Sequence, residues 1–236
     1  MVSVIIPCRN GAAYLAEAIA GIRAQNVPVE IVLIDDGSTD GSGRIAAEQG
    51  CRVIRKEKSE GPVKAKNDAL KVISGEDVMF HDCDDVMEPG ALARMLAELE
   101  SDPDVMAVMA KVRDFASPDL SAEERGGFQV KATPYHGLFT GSVLMRRRVW
   151  DVLGGFDESV TAGEIIDWQN RMQTHGFAIR KLDFASCRRR IHRSNFGRTQ
   201  RGVEYADYSK LLRVKLLAAR RAGGVWEMGE AGTVRR

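Results

Sequence analysis

The chain has 236 residues, room for one large domain or two small ones around a real core. Its 44% apolar and 28% charged residues are the balance of an ordinary soluble globular protein, and 34 basic against 33 acidic side chains, a net charge of +1, exclude a general nucleic-acid footprint. No run approaches the roughly 18 to 20 apolar residues of a membrane span, no secretory signal opens the chain, and Cys8, Cys51, Cys83 and Cys187 lack zinc-type pairing. Reduced thiols in a cytoplasmic protein are therefore expected.

Residues 2–7 read as a strand that starts almost at residue 1 and is stopped by Pro7 and the Asn10-Gly11 turn signal. Leu15, Ile19 and Ile22 recur at helical spacing. A second strand over 29–34 closes on Asp35-Asp36-Gly37-Ser38; a short helix over 40–49 and a third strand over 51–54 follow. Ala65, Ala69, Leu70 and Ile73 line another helix before an apolar strand that runs into Asp82. Residues 88–99 are predicted helical, with Pro89 near the start, where its missing N–H does little harm. Residues 114–140 lack periodicity and read as a long loop suited to a lid or to substrate contacts, or as a disordered stretch, with Tyr135 and His136 as surface residues. Residues 203–222 read as a basic amphipathic helix that packs on the core or on a second copy in a homodimer, ahead of a loosely held Gly-rich end.

Strands alternating with helices predict an α/β fold with a mostly parallel sheet and helices on both faces. Ligands of such sheets bind beyond the carboxyl ends of the strands. Three polar clusters fall there: 7–10, 35–40 and 82–85. In the last, Phe80-His81-Asp82-Cys83-Asp84-Asp85, three acids within four positions end a buried strand. Such crowded like charges suit a divalent cation, Mg²⁺ or Mn²⁺, shared with substrate phosphates, although a solvated helix-capping turn has the same composition.

The segments VSVIIPCRNGAAYLAEAI, VEIVLIDDGSTDGS and GPVKAKNDAL and the acidic strand end, in this order, resemble family 2 glycosyltransferases over residues 2 to about 100. The similarity continues more loosely through FTGSVLMRRRVWDVLGGFDES and GEIIDWQNRM to about residue 198. The resemblance implies the GT-A fold, with 1–113 as the nucleotide-sugar-binding half, 114–202 as the acceptor-side and catalytic half of the same domain, and 203–236 as the C-terminal helix and tail. It implies that Pro7, Cys8 and Arg9 with Asp35 and Asp36 hold the nucleoside, a carboxylate suiting the uracil imide N–H. Asp-Gly-Ser is also a common turn former. Lys66 and Asn67 match the family's basic-asparagine step near base or phosphates; Lys66 equally suits a solvated helix face. Asp82 and Asp84, flanking Cys83, match its DxD pair, with Asp84 the direct metal ligand and Asp82 reaching to ribose or metal.

The family's GEDxDxWxR segment aligns with 163–171, but Ile165 stands where the aspartate base is usual. Glu164 and Asp167, on one helical side with Trp168 and Arg171, are the candidate bases; Glu164 equally suits a helix's first turn and Asp167 an ion pair with Arg171. The run Arg188 to Asn195 resembles the late segment where a histidine, here His192, approaches the metal while arginines such as Arg190 bind the diphosphate; a solvated basic loop has the same composition. The implied activity is metal-dependent, inverting sugar transfer from a UDP-linked donor, in single transfers, to a sugar, peptide or lipid-linked acceptor. A nucleotidyltransferase or a non-catalytic nucleotide-sugar-binding protein remains an alternative.

Overall fold

The computed structural model describes residues 1–137, 139–160 and 163–195, with two short strands further on, β9 (Glu227–Met228) and β10 (Val234–Arg235). The helix expected over 203–222, with its dimer surface, lies outside the described residues.

Strand β1 (Val2–Cys8) is central, with β2 (Val29–Asp35) and β4 (Asp77–Phe80) parallel to it on either side. Strand β3 (Arg52–Arg55) extends the parallel half. Beyond β4 the sheet turns mixed. Strand β7 (Val143–Arg146) runs antiparallel between β4 and β6 (Val105–Ala116), β8 (Ala178–Ile191) is parallel to β6, and β5 (Val86–Met87) closes the far edge, giving the order β3-β2-β1-β4-β7-β6-β8-β5. Strand β6 runs through position 113, so the two halves expected from sequence share a strand.

The strands are apolar on both faces because both are covered. Val2, Val4, Ile6 and Cys8 point to one side, against Leu15, Ile19 and Ile22 of α1 (Ala12–Arg23) and Leu92, Met95 and Leu99 of α4 (Ala91–Glu100). Ile5, Val78 and Phe80 point to the other, against α3 (Pro62–Leu70), α6 (Arg148–Leu153) and α7 (Glu164–Thr174). There Trp168, fully buried, stacks on Trp150 with ring centroids 5.4 Å apart. Each Leu or Ile buried in this way contributes about 1.5–3 kcal/mol. The short α2 (Ser42–Glu48) lies against β3.

Two local expectations are corrected. The fourth helix starts at Ala91, with Gly90 at its N-cap at φ 67°, so Pro89 precedes it; the proline at a helix start is Pro62 of α3. Residues 114–140 are not one open loop. Strand β6 reaches Ala116, and a capping box joins Ser121 and Glu124 at α5 (Ala122–Gly126). Tyr135 bridges back to Val112 and donates its hydroxyl to Asp114 at 2.8 Å, so it is half-buried while His136 is exposed. Burial and then Asp114 push the Tyr135 hydroxyl up to about 12.

Candidate active site

The polar clusters at the ends of β1, β2 and β4 meet on one edge of the sheet. The first two are stapled together. Asn10, at φ 54°, accepts from Thr39 N–H at 2.9 Å and donates its own N–H to Ser38 Oγ at 3.0 Å. The first N–H groups of α1 lack helical partners. Asp40 takes that of Ala12 and Ser42 that of Gly11.

Asp35 and Asp36 are 1% and 4% exposed. Asp35 accepts from Ser38 N–H at 2.8 Å; Asp36 accepts from Ser59 Oγ at 2.6 Å and from the N–H groups of Glu60 and Gly61 at 2.9 and 3.0 Å. Both carboxylates thus build turns, and Asp36 fastens the loop that leads into α3. Pro7 lies at the strand end, and Arg9 beside it is exposed with no ion-pair partner among the described residues. Cys8 is buried against Cys83, a thiol contact between the end of β1 and the acidic loop.

That loop divides its acids. Asp84 Oδ2 lies 2.8 Å from His192 Nε2 and accepts from the Asn195 amide at 3.4 Å. Tyr14 packs on the His192 ring with centroids 4.7 Å apart, and Asn195 Oδ1 accepts the His192 N–H at 2.6 Å. Asp85 turns inward: its Oδ1 accepts the Arg190 N–H at 2.8 Å, and burial, then Asp84 and Asp82, push its carboxyl well up. Asp82 faces a different group. Burial raises its carboxyl, Lys66 opposes that, and Asp84 and Glu164 add to it.

Lys66 and Glu164 form a buried ion pair across the sheet edge, and Lys66 also donates to Thr140 Oγ1 at 3.1 Å. Burial works against the ammonium, but Glu164 and then Asp82 outweigh it and raise its pKa above the ordinary lysine value. Glu164 heads α7 behind Gly163 at φ 78°. Asp167 is elsewhere: it pairs with Arg171 at 2.8 Å, and Arg171 donates to Leu153 O and Gly155 O, holding the loop before α7. Ile165, at the usual aspartate position, is 2% exposed within the core.

Two residues expected to touch a donor are engaged inside the protein. Arg190 is 3% exposed; it donates to Asp84 O at 2.8 Å and Glu17 at 2.6 Å and lies over Tyr14 and Phe115, so it braces the acidic loop from beneath. Its neighbour Arg189 is the arginine whose charge acts on Asp82. Side chains alternate along a strand, and β8 ends at Ile191. Asn67 holds the loop after α6, donating to Phe156 O at 3.0 Å and Glu158 at 2.9 Å and accepting the Phe156 N–H at 2.8 Å. Thr140 and Tyr14 carry no sequence signal for their places; the pairing of Lys66 with Glu164 spans 98 positions and is visible only in three dimensions.

Among the described residues no group of three or more His, Cys, Asp or Glu side chains is gathered as a metal cage. Asp84 and His192 nonetheless lie against each other, Oδ2 2.8 Å from Nε2, beside Asp82. The carboxylates of Asp84 and Asp82 suit Mn²⁺ or Mg²⁺ when a substrate's phosphates and water supply most of the other ligands.

Polar clusters beyond the carboxyl ends of the central parallel strands mark the ligand edge of an open α/β sheet. The model of "Glycosyl transferase family 2" matches residues 3–153, and the chain belongs to that family. It is 34% identical over 113 residues to the glycosyltransferase GlyG of Streptococcus pneumoniae, covering 45% of this chain and 38% of GlyG. The crystal structure of S. aureus TarS 1-349 in complex with UDP shares the fold at a TM-score of 0.64 and 20% identity, over 90% of this chain and 63% of that one. The mannosyltransferase PcManGT of Pyrobaculum calidifontis, solved with GDP-Man and Mn²⁺, does so at a TM-score of 0.66 and 21% identity, over 84% and 59%. The chain therefore spans well under half of GlyG and under two thirds of both solved chains.

Proposed function

We propose that this chain transfers a sugar, with inversion, from a nucleotide-diphosphate donor to an acceptor hydroxyl or thiol. The observation that carries the reading is the meeting of two pairs, Asp84 with His192 and Lys66 with Glu164, on either side of Asp82 at the carboxyl edge of the sheet. Family membership and the nucleotide and nucleotide-sugar complexes of the two solved relatives support it.

In this reading the nucleoside rests on the edge formed by Pro7, Cys8, Arg9 and the turns that Asp35 and Asp36 build. The likeness to the TarS chain solved with UDP supports a UDP donor. Asp84 and His192, with Asp82 beside them, would hold Mn²⁺ or Mg²⁺. When bound, the ion supplies charge stabilisation for the departing diphosphate. Glu164 takes the acceptor's proton as the acceptor atom attacks the anomeric carbon, and the bond to the diphosphate oxygen breaks on the opposite face. Lys66 fixes the direction in which the Glu164 carboxylate points, and Asn195 with Tyr14 fixes the His192 ring. The free thiols fit a cytoplasmic setting, and no described helix is long and apolar enough to cross a membrane.

Incubation with UDP-sugars and Mn²⁺, with and without candidate acceptors, tests the assignment. Release of UDP supports it. Release of pyrophosphate would mean a nucleotidyltransferase, and binding without turnover would mean a nucleotide-sugar-binding protein. Asp84→Ala should abolish transfer and most metal-dependent UDP binding in calorimetry. A variant that binds UDP and Mn²⁺ like the parent would remove Asp84 from the metal site.

A further inference from the structure

Cys8 and Cys83 sit three residues beyond Ile5 and Phe80, which pair in register on the neighbouring parallel strands β1 and β4. Beyond that pair the His81 N–H still reaches Ile5 O at 2.8 Å, and the Cys8 and Cys83 thiols are in hydrogen-bond contact, so the acidic loop stays against the end of β1. The side chains face the same layer. Cys8 belongs to the core on the α1 side, and Cys83 packs against that same core. A Cβ placed on Gly11 would fall 2.7 Å from Cys83 Sγ and 2.9 Å from Cys8 Sγ, so one glycine roofs both sulfurs. Both are free thiols, Cys8 buried and Cys83 half-buried. Cys51 and Cys187 are buried, and Cys187 Sγ is instead 3.8 Å from Asp85.

We propose that Cys8 and Cys83 are a redox modification site, closed to a disulfide by hydrogen peroxide and reopened by thiols, and that the bond gates the donor site. One thiol takes an oxygen from the peroxide, giving a sulfenic acid and a first water. The other thiol attacks that sulfur, the hydroxyl leaves with the remaining thiol proton as a second water, and the S–S bond forms. Each sulfur is oxidised by one electron equivalent and the peroxide is reduced to two waters.

The position gives the bond its effect. Cys83 separates Asp82 from Asp84, and Cys8 lies between Pro7 and Arg9. Drawing the sulfurs to about 2.05 Å moves the acidic loop against the end of β1. Asp84 then leaves the direction in which His192 and Asn195 hold it. The gating half of this inference rests on the donor-site reading above; the bond itself does not.

The full chain should be reduced, exposed to hydrogen peroxide, alkylated and digested with trypsin without reductant. Cleavage after Arg9, Lys71 and Arg94 places the two cysteines in peptides 1–9 and 72–94. The expected product is these two joined, two hydrogens lighter than their sum and separated by dithiothreitol. The joined peptide should persist in the Cys51→Ser/Cys187→Ser double variant and vanish in Cys83→Ser. Should Cys83→Ser not fold, the map of the parent decides. Four alkylated cysteines after peroxide, or a bridge to Cys51 or Cys187, would overturn the site. Calorimetry with UDP and Mn²⁺ tests the gate: binding at least tenfold weaker in the oxidised protein and restored by dithiothreitol is expected. Equal binding in both forms overturns the gate alone. Failure of the reduced protein to bind removes the donor reading, and the gate with it, while the mapped bond stands.

Discussion

Glu164 and Asp167 are three residues apart on one helix and do different work. The first meets Lys66 beside Asp82; the second holds Arg171 and through it the loop at Leu153 to Gly155. Glu164→Gln is therefore expected to lower turnover about 10²-fold or more, the range a general base contributes, with UDP affinity nearly unchanged. Asp167→Asn should cost a few tenths of a kcal/mol in denaturant unfolding and leave turnover close to the parent. The reverse pattern would exchange the two roles. Restoring the family's usual residue is expected to do harm. Ile165 is 2% exposed among Val149, Trp168 and their neighbours, so the carboxylate of Ile165→Asp would be buried without a partner. The loss should be roughly 3 kcal/mol or more, with no gain in turnover. An active, equally stable variant would mean that this position faces the cleft after all.

At the scale of the element, the sequence was most legible where local rules decide. The alternation of strand and helix through residue 100, and the placing of polar clusters at strand ends, follow from apolar runs and turn residues alone. Less legible was the stretch after β6. Asp114 gathers Tyr135 and the N–H of Lys131 by contacts far apart in sequence, which no periodicity announces. The arginine run is hard to read for a related reason. Which of Arg189 and Arg190 faces the acids depends on the register of β8, and that strand carries bulges against β6. The loop between α6 and α7 depends on a close approach: a Cβ on Gly155 would lie 2.5 Å from Asn67 Oδ1 and 2.9 Å from its Cγ. Gly155→Ala should therefore break the Asn67 clasp on Phe156 and destabilise the fold by about 1–3 kcal/mol. Unchanged thermal stability would show that the loop gives way without cost.

At the scale of the whole molecule, pH acts through buried groups. His81 is fully buried; its Nε2 meets Asp85 O at 3.2 Å, which makes Nε2 the protonated nitrogen, and burial lowers its pKa to about 4. The unfolded chain, with an ordinary imidazole, binds more protons between about pH 6.5 and 4, so this group removes stability as pH falls through that window. The amount is on the order of 3 kcal/mol. Asp85, with its carboxyl pushed up by burial first, acts in the opposite sense. The test is therefore a difference: urea unfolding of the metal-free protein should show a steeper loss from pH 6.5 to 4 than the same titration of His81→Leu. Equal slopes would mean that His81 titrates alike folded and unfolded.

The order of the strands has a consequence for how the chain is made. Strand β4 gains its second neighbour only when β7 arrives, after β5, β6 and the segment between have been synthesised. Until then the parallel layer β3-β2-β1-β4 carries an unpaired, apolar edge at β4. Such an edge is a template for another chain. A nascent or truncated piece ending before Val143 should therefore self-associate, and the ribosome-bound protein is most exposed to chaperones in the interval between the emergence of β4 and that of β7.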